Sequence, residues 1–105
     1  LALSRLREKL TKENLWLYII SELRKGPKYG YELKEDLRRI YGVNVATITI
    51  YIVLYRMERE GLIRKVREEL SGRRRVFYEV TPKGLETYRR GIEFIEEVVA
   101  SLKGD

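Results

Sequence analysis

Residues 44–80 read NVATITIYIVLYRMEREGLIRKVREELSGRRRVFYEV, and the reading of this stretch decides the fold. From Asn44 to Glu60 the apolar residues recur at helical spacing, with Ile50, Leu54 and Met57 on one line, and Gly61 stops the run. Asn44 suits an N-cap, since its side-chain carbonyl can accept an orphan amide of the first turn. After Gly61 the period changes. Residues 62–67 and 75–80 are short, partly alternating segments rich in β-favouring residues, and Ser71-Gly72 between them supplies a turn. A helix followed by a basic hairpin is the expectation.

Outward from there, residues 12–25 place Leu15, Trp16, Ile19, Ile20 and Leu23 on one broad helical face and close at Gly26-Pro27. A second helix runs from about Tyr29 to Tyr41, with Tyr31, Leu33, Leu37 and Ile40 as its buried side. Thr81 as N-cap and Pro82 at the first helical position start a last helix that reaches about Leu102. Three helices and then a basic hairpin is the element order of a winged helix-turn-helix, whose third helix enters the DNA major groove. The fold class expected is mainly α with a small β-hairpin. The chain divides into an N-terminal helical extension (1–11), the winged helix-turn-helix (12–80) and a C-terminal dimerisation helix (81–105).

The 105 residues hold 22 Lys plus Arg, 16 Asp plus Glu, and neither His nor Cys. Thiol nucleophiles, imidazole bases, the usual zinc sites and disulfides are thereby excluded, although an oxygen-ligand site for magnesium or calcium stays open. The carboxylate pairs Glu58/Glu60, Glu68/Glu69 and Glu96/Glu97 do not face each other along a helix or strand, and no phosphate-cradling glycine loop is present. A protein without catalytic function or cofactor is expected. The net charge of +6 favours an anionic partner, and it is segregated: residues 1–42 carry +4, residues 43–80 carry +3 and residues 81–105 carry −1. No apolar run is long enough to span a membrane, and residues 1–10 contain no secretory h-region, so a cytoplasmic protein is expected. The scarcity of Asn and the lack of Gln and Cys lean toward a thermophilic source.

With Ile50, Leu54 and Met57 toward the core, the opposite face of the third helix is read as Val45, Thr49, Ile52 and Arg56. Thr49 would reach a base edge or phosphate, the methyl groups of Val45, Thr49 and Ile52 would pack on thymine methyls, and Arg56 would reach phosphate. Asn44 and Thr47 would hold phosphate near the helix start. Arg73, Arg74 and Arg75 at the hairpin tip suit phosphate clamping or a narrow minor groove, and Lys28 and Tyr29 are further backbone contacts. Each of these also fits plain solvent exposure. In the last helix Leu85, Tyr88, Ile92, Ile95, Val99 and Leu102 form a heptad seam, and Leu3, Leu6 and Leu10 repeat its spacing. Both stripes predict a two-fold homodimer. Trp16, Tyr18, Tyr88, Phe94 and Val98 could line an apolar cleft at its interface for a small aromatic effector, though aromatics at helical spacing equally make plain core.

Three blocks resemble the PadR-like family of transcriptional regulators. Gly26-Pro27-Lys28-Tyr29-Gly30-Tyr31-Glu32-Leu33 is similar to the family's GPxHGYEL stretch. Residues 49–63, TIYIVLYRMEREGLI, are similar to its TLYxxLxRLExxGLI recognition helix, and residues 72–84, GRRRVFYEVTPKG, to its GRxRKYYxLTxxG wing. Tyr29 stands where the family usually has His, and the Pro often found near Val45 is absent. The resemblance spans about residues 12–90, and the single C-terminal helix is that of the compact subfamily. It implies a homodimeric DNA-binding repressor, in some members relieved by a small aromatic or cationic ligand. Two rival classes stay open: a winged-helix protein-interaction module with an incidental basic surface, and an enzyme acting on nucleic acid, which the missing His and Cys oppose.

Overall fold

The computed structural model describes residues 1–104; Asp105, the last residue of the predicted 81–105 segment, lies outside the described residues. The chain forms helix α1 (Ala2–Leu10), a 3-10 turn (Lys12–Asn14), α2 (Leu15–Leu23), strand β1 (Lys28–Tyr29), α3 (Gly30–Tyr41), α4 (Thr47–Arg59), β2 (Ile63–Glu69), β3 (Arg75–Val80) and α5 (Pro82–Lys103). Leu15, Ile19, Ile20 and Leu23 of α2 meet Leu33 and Leu37 of α3 and Ile50, Leu54 and Met57 of α4 in one core. Leu62, Ile63 and Tyr78 at the base of the hairpin complete it. Tyr31 and Ile40, expected inside, are exposed. Tyr31 lies about half a turn from Leu33 around the helix, and Ile40 sits in the last turn at the edge of the core.

Two element readings need correction. The wing is not a lone two-stranded hairpin: β1 pairs with β3 through Lys28↔Tyr78 and Tyr29↔Phe77, giving a three-stranded antiparallel sheet in the order β1-β3-β2. A two-residue strand has no period of its own and exists only through its partner. Asn44 does not cap α4, which starts three residues later behind Ala46, with no side-chain cap. Residues 42–46 lie outside any helix, with Val43 buried and Val45 packed on the core. Val45 accordingly does not share the exposed face assigned to it.

The C-terminus of α4 is closed by Gly61 at φ 78°, with Gly61 N–H donating to the Glu58 carbonyl and Leu62 N–H to the Met57 carbonyl at 2.9 Å. That reversal aims β2 away from α4. The wing is then strapped to the start of α5. Thr81 N–H donates to the Leu62 carbonyl (3.0 Å), while Thr81 Oγ1 donates to the Gly61 carbonyl (2.6 Å) and also accepts from Gly84 N–H (3.0 Å). Glycine is required at position 84, since a Cβ there would lie 2.1 Å from the Leu62 carbonyl oxygen.

Helix α1 has no buried residue, and from Ile92 to Lys103 only Ile95 of α5 is even partly covered. Tyr88 and Gly91 face α2, where Trp16 and Leu17 close on Gly91. Leu3, Leu6, Leu10, Leu85, Ile92, Phe94, Val98, Val99 and Leu102 are all exposed.

Candidate nucleic-acid interface

Helix α4 presents its outer side as an apolar ridge. Ile48 is 66 % exposed, Tyr55 58 %, and Tyr51 and Ile52 46 % each, while Ile50 on the same helix is fully buried. Around the helix, Ile48, Ile52, Tyr55 and Arg59 lie opposite the Ile50–Leu54–Met57 line. Thr49 and Arg56 sit about a quarter turn to one side. The outer face assigned from the sequence is therefore rotated toward α2. Its core line is correct, but a helix apolar almost all round leaves the opposite face loosely defined. Thr49 is half-buried and, with Ile52 and Arg56, borders a hollow walled by Trp16, Met57 and Leu62. Thr47 and Asn44 are exposed; Asn44 borders a small hollow beside Lys34 and Arg38 of α3.

Tyr51 joins α4 to the rest of the surface. Its ring lies so close to Gly30 that a Cβ there would meet Tyr51 Cε1 at 2.6 Å, so the Gly30-Tyr31 pair at the start of α3 is a fitting for this tyrosine. Tyr55 Oη accepts a hydrogen bond from Arg59 Nη1 (3.0 Å), which fixes both at the exposed face. These tyrosines are not among the contacts expected from the sequence, although the 100° arithmetic around α4 would find them.

Beside Tyr51 a hollow runs to the wing, lined by Tyr29, Lys65, Arg74, Arg75 and Tyr78. A neighbouring one adds Tyr31 and Arg73. Tyr29 is half-buried, edge-on to Phe77 at 5.1 Å, and the Arg75 guanidinium lies over its ring at 5.1 Å. Arg67 is stacked on Phe77 at 3.9 Å. The three tip arginines differ. Arg74 Nε donates to Glu68 Oε1 (2.5 Å), a contact that holds the Glu68 carboxyl below its ordinary range. Arg75 rests on Tyr29, and Arg73 has no ion pair among the described residues. Arg64 is likewise tied to Glu79 (2.5 Å).

Lys28 requires correction as an exposed backbone contact. Its side chain is 17 % exposed, with Nζ 2.5 Å from Asp36 and 3.8 Å from Glu22. Glu22 is fully buried and accepts from Lys25 (2.9 Å) and from Tyr41 Oη (2.7 Å), and Asp36 also accepts from Arg39 (3.0 Å). Burial pushes both carboxyls up, but the hydrogen bonds and adjacent cations outweigh it and hold them below the ordinary range. Burial pulls Lys28 down, and the Asp36 hydrogen bond more than restores it, leaving it raised. This buried network ties α2, β1 and α3 together beneath the interface. Among the described residues no three carboxylates converge on a point that could hold a metal ion.

The proposed effector residues do not share one hollow within the chain. Trp16 faces Gly91 and the α4 hollow, Tyr18 packs on Tyr41 and donates to the Leu10 carbonyl (2.6 Å), and Tyr88 lies under Arg24 (4.7 Å). Trp16 and Tyr18 are two apart on one helix and so point to opposite sides.

Residues 19–90 match the Transcriptional regulator PadR-like family. This chain belongs to the PadR-like family of transcriptional regulators. It is 28 % identical over 88 residues to the transcriptional regulator Rv3488 of Mycobacterium tuberculosis, covering 84 % of this chain and 81 % of that protein. A PadR family transcriptional regulator from Eggerthella lenta is 28 % identical with a TM-score of 0.78, over 98 % of this chain and 89 % of that one. Bacillus subtilis PadR, solved in complex with operator DNA, has the same fold at a TM-score of 0.68 and 24 % identity, over 74 % of this chain and 46 % of that one. PadR-like proteins are transcriptional regulators and not enzymes. The family match runs from the second half of α2 to the middle of α5, and so omits α1, the start of α2 and the exposed half of α5. Among the described residues no helix is long and apolar enough to cross a membrane.

Proposed function

We propose that this PadR-like chain is a homodimeric transcriptional repressor acting on DNA in the cytoplasm. In this reading residues 12–80 bind a pseudo-palindromic operator, α4 enters the major groove, and the wing, led by Arg73 and Arg75, holds the flanking backbone. The supporting observation is that Tyr51 of α4 borders two hollows together with Arg73, Arg74 and Arg75 of the wing, beside the exposed Ile48, Ile52 and Tyr55 of the same helix. The operator complex of Bacillus subtilis PadR supports the same reading.

Residues 1–11 and 81–105 would make the dimer. Their exposed leucines, isoleucine, valines and Phe94 form stripes with no cover in their own chain, and an unsupported helix as short as α1 is marginal in water. A small aromatic effector would bind where two protomers meet, near Trp16, Phe94 and Val98, and a thermal-shift series with planar aromatic compounds tests that part.

Selection of bound sites from a random duplex library, with the full chain at physiological salt, tests the main reading. It should enrich inverted repeats whose half-site centres lie about one helical turn, ~34–36 Å, apart. A library that stays unenriched would refute DNA reading and favour the protein-interaction module.

A further inference from the structure

We infer that the α4 ridge selects operator bases by the methyl groups of thymine, with Ile48 and Ile52 as the specificity-determining side chains. The inference rests on the proposed DNA-binding reading and deepens it. The ridge is unusual for a surface that meets a polar groove. Its most exposed member is an isoleucine, and Ile48, Tyr51, Ile52 and Tyr55 lie next to one another over two turns. No Asn, Gln, Asp or Lys occurs in Thr47–Arg59, so the amides that make bidentate contacts to adenine are missing from the helix. Its one carboxylate, Glu58, which could accept from cytosine, instead faces Lys65 of the wing at 3.9 Å. Arginine could read guanine, but Arg56 lies to one side of the ridge, and Arg59 is in the last turn with its guanidinium on Tyr55 Oη at 3.0 Å.

What the ridge does offer is branched aliphatic surface, and the thymine C5-methyl is the apolar feature of the major groove. An apolar patch can also dock another protein. Its rim decides otherwise: Arg56 and Arg59 stand beside it on α4, and Lys65, Arg73 and Arg75 border the hollows from Tyr51 to the wing, outnumbering Glu13 and Glu60 at the Arg56 end. A cationic rim around an apolar strip complements paired phosphate backbones on either side of a methyl-lined groove.

The test uses the full chain and the duplex it selects. Each thymine in turn is replaced by deoxyuridine, which deletes the methyl and leaves the base pair and its hydrogen-bonding edge intact. At one or two positions per half-site the replacement should weaken binding about threefold to tenfold, the scale of burying one methyl or of one apolar base interaction. Ile48→Ala or Ile52→Ala should weaken the thymine duplex and abolish the uracil effect at one of those positions. Both residues are exposed, so folding is preserved, and circular dichroism of the variants checks this. If every uracil substitution leaves affinity within about twofold, methyl reading is wrong while DNA binding stands. The same holds if the uracil penalty persists undiminished in both variants. A failed selection would instead overturn DNA binding itself, so the two failures are distinct.

Discussion

Gly84→Ala should destabilise the protein strongly, although helix propensity alone predicts the reverse. Alanine in place of a helical glycine ordinarily contributes about 1 kcal/mol of stability. Here the new Cβ would stand 2.1 Å from the Leu62 carbonyl oxygen, 2.8 Å from Val80 Cγ2 and 3.0 Å from the Leu62 carbonyl carbon. Two of the three are backbone atoms, so no side-chain rotation relieves the clash. The first turn of α5 must retreat by more than 1 Å to restore ordinary van der Waals separation. That retreat strains the strap made by Thr81 N–H on the Leu62 carbonyl (3.0 Å) and Thr81 Oγ1 on the Gly61 carbonyl (2.6 Å). Two hydrogen bonds at about 1 kcal/mol each, with overpacking of about 1–3 kcal/mol, exceed the propensity gain by roughly 2–4 kcal/mol. Urea unfolding at fixed protein concentration, followed by the fluorescence of Trp16, measures the change. Gly91→Ala is the control, because its Cβ would meet side-chain atoms, Trp16 Cη2 at 3.0 Å and Leu17 Cδ2 at 3.1 Å, which have room to adjust. If Gly84→Ala is as stable as the parent, the strap between wing and α5 does not hold these elements together.

The buried network gives a pH dependence. Glu22 and Asp36 titrate below their unfolded values, so their stabilisation is present above the ordinary carboxylate range and is lost as pH falls through the lowered values. The urea midpoint should drop on acidification below about pH 4, and Glu22→Gln with Asp36→Asn should flatten that limb. Lys28 acts in the opposite sense, its raised value keeping its contribution intact until pH climbs past the ordinary lysine range. Tyr41→Phe removes the hydroxyl between Ser21 and Glu22 and should cost about 1–2 kcal/mol in the same assay. Arg73→Ala should flatten the salt slope of operator binding by about 0.9 for each phosphate it no longer neutralises, and Arg74→Ala by less because Glu68 already engages it. Anisotropy titrations against salt measure both, and equal slopes would contradict the distinction. Ile92→Glu with Val99→Glu should yield a 12.5 kDa monomer in sedimentation, whereas an unchanged dimer would place the interface elsewhere.

Much of the fold was legible in the chain. Local chemistry marks its own ends: Gly61 needs its positive φ, Thr81 and Pro82 open α5, and Ile50, Leu54 and Met57 line up because helical spacing is a property of neighbours. The candidate site was less legible. On α4 a row of eight residues from Ile48 to Tyr55 is apolar but for Thr49 and the tyrosine hydroxyls, so composition could not say which side faces out. Lys28 looked like any surface lysine, because the Asp36 that engages it lies eight residues away.

The sequence by itself determined the order of the principal helices and the hairpin, the core lines of α2 and α4 and the Leu33–Leu37 part of that of α3, the absence of imidazole and thiol chemistry, and the basic character of the first 80 residues. All of these follow from residue identity and spacing along a few turns. Only the tertiary structure decided that β1 exists, that Asn44 caps nothing, that Lys28 is turned inward and that Tyr51 seats on Gly30. Those outcomes depend on contacts between residues remote in the chain, such as Tyr29 with Phe77, or Gly84 with Leu62. Packing selects among local options of similar energy, and that selection becomes visible once the elements are assembled.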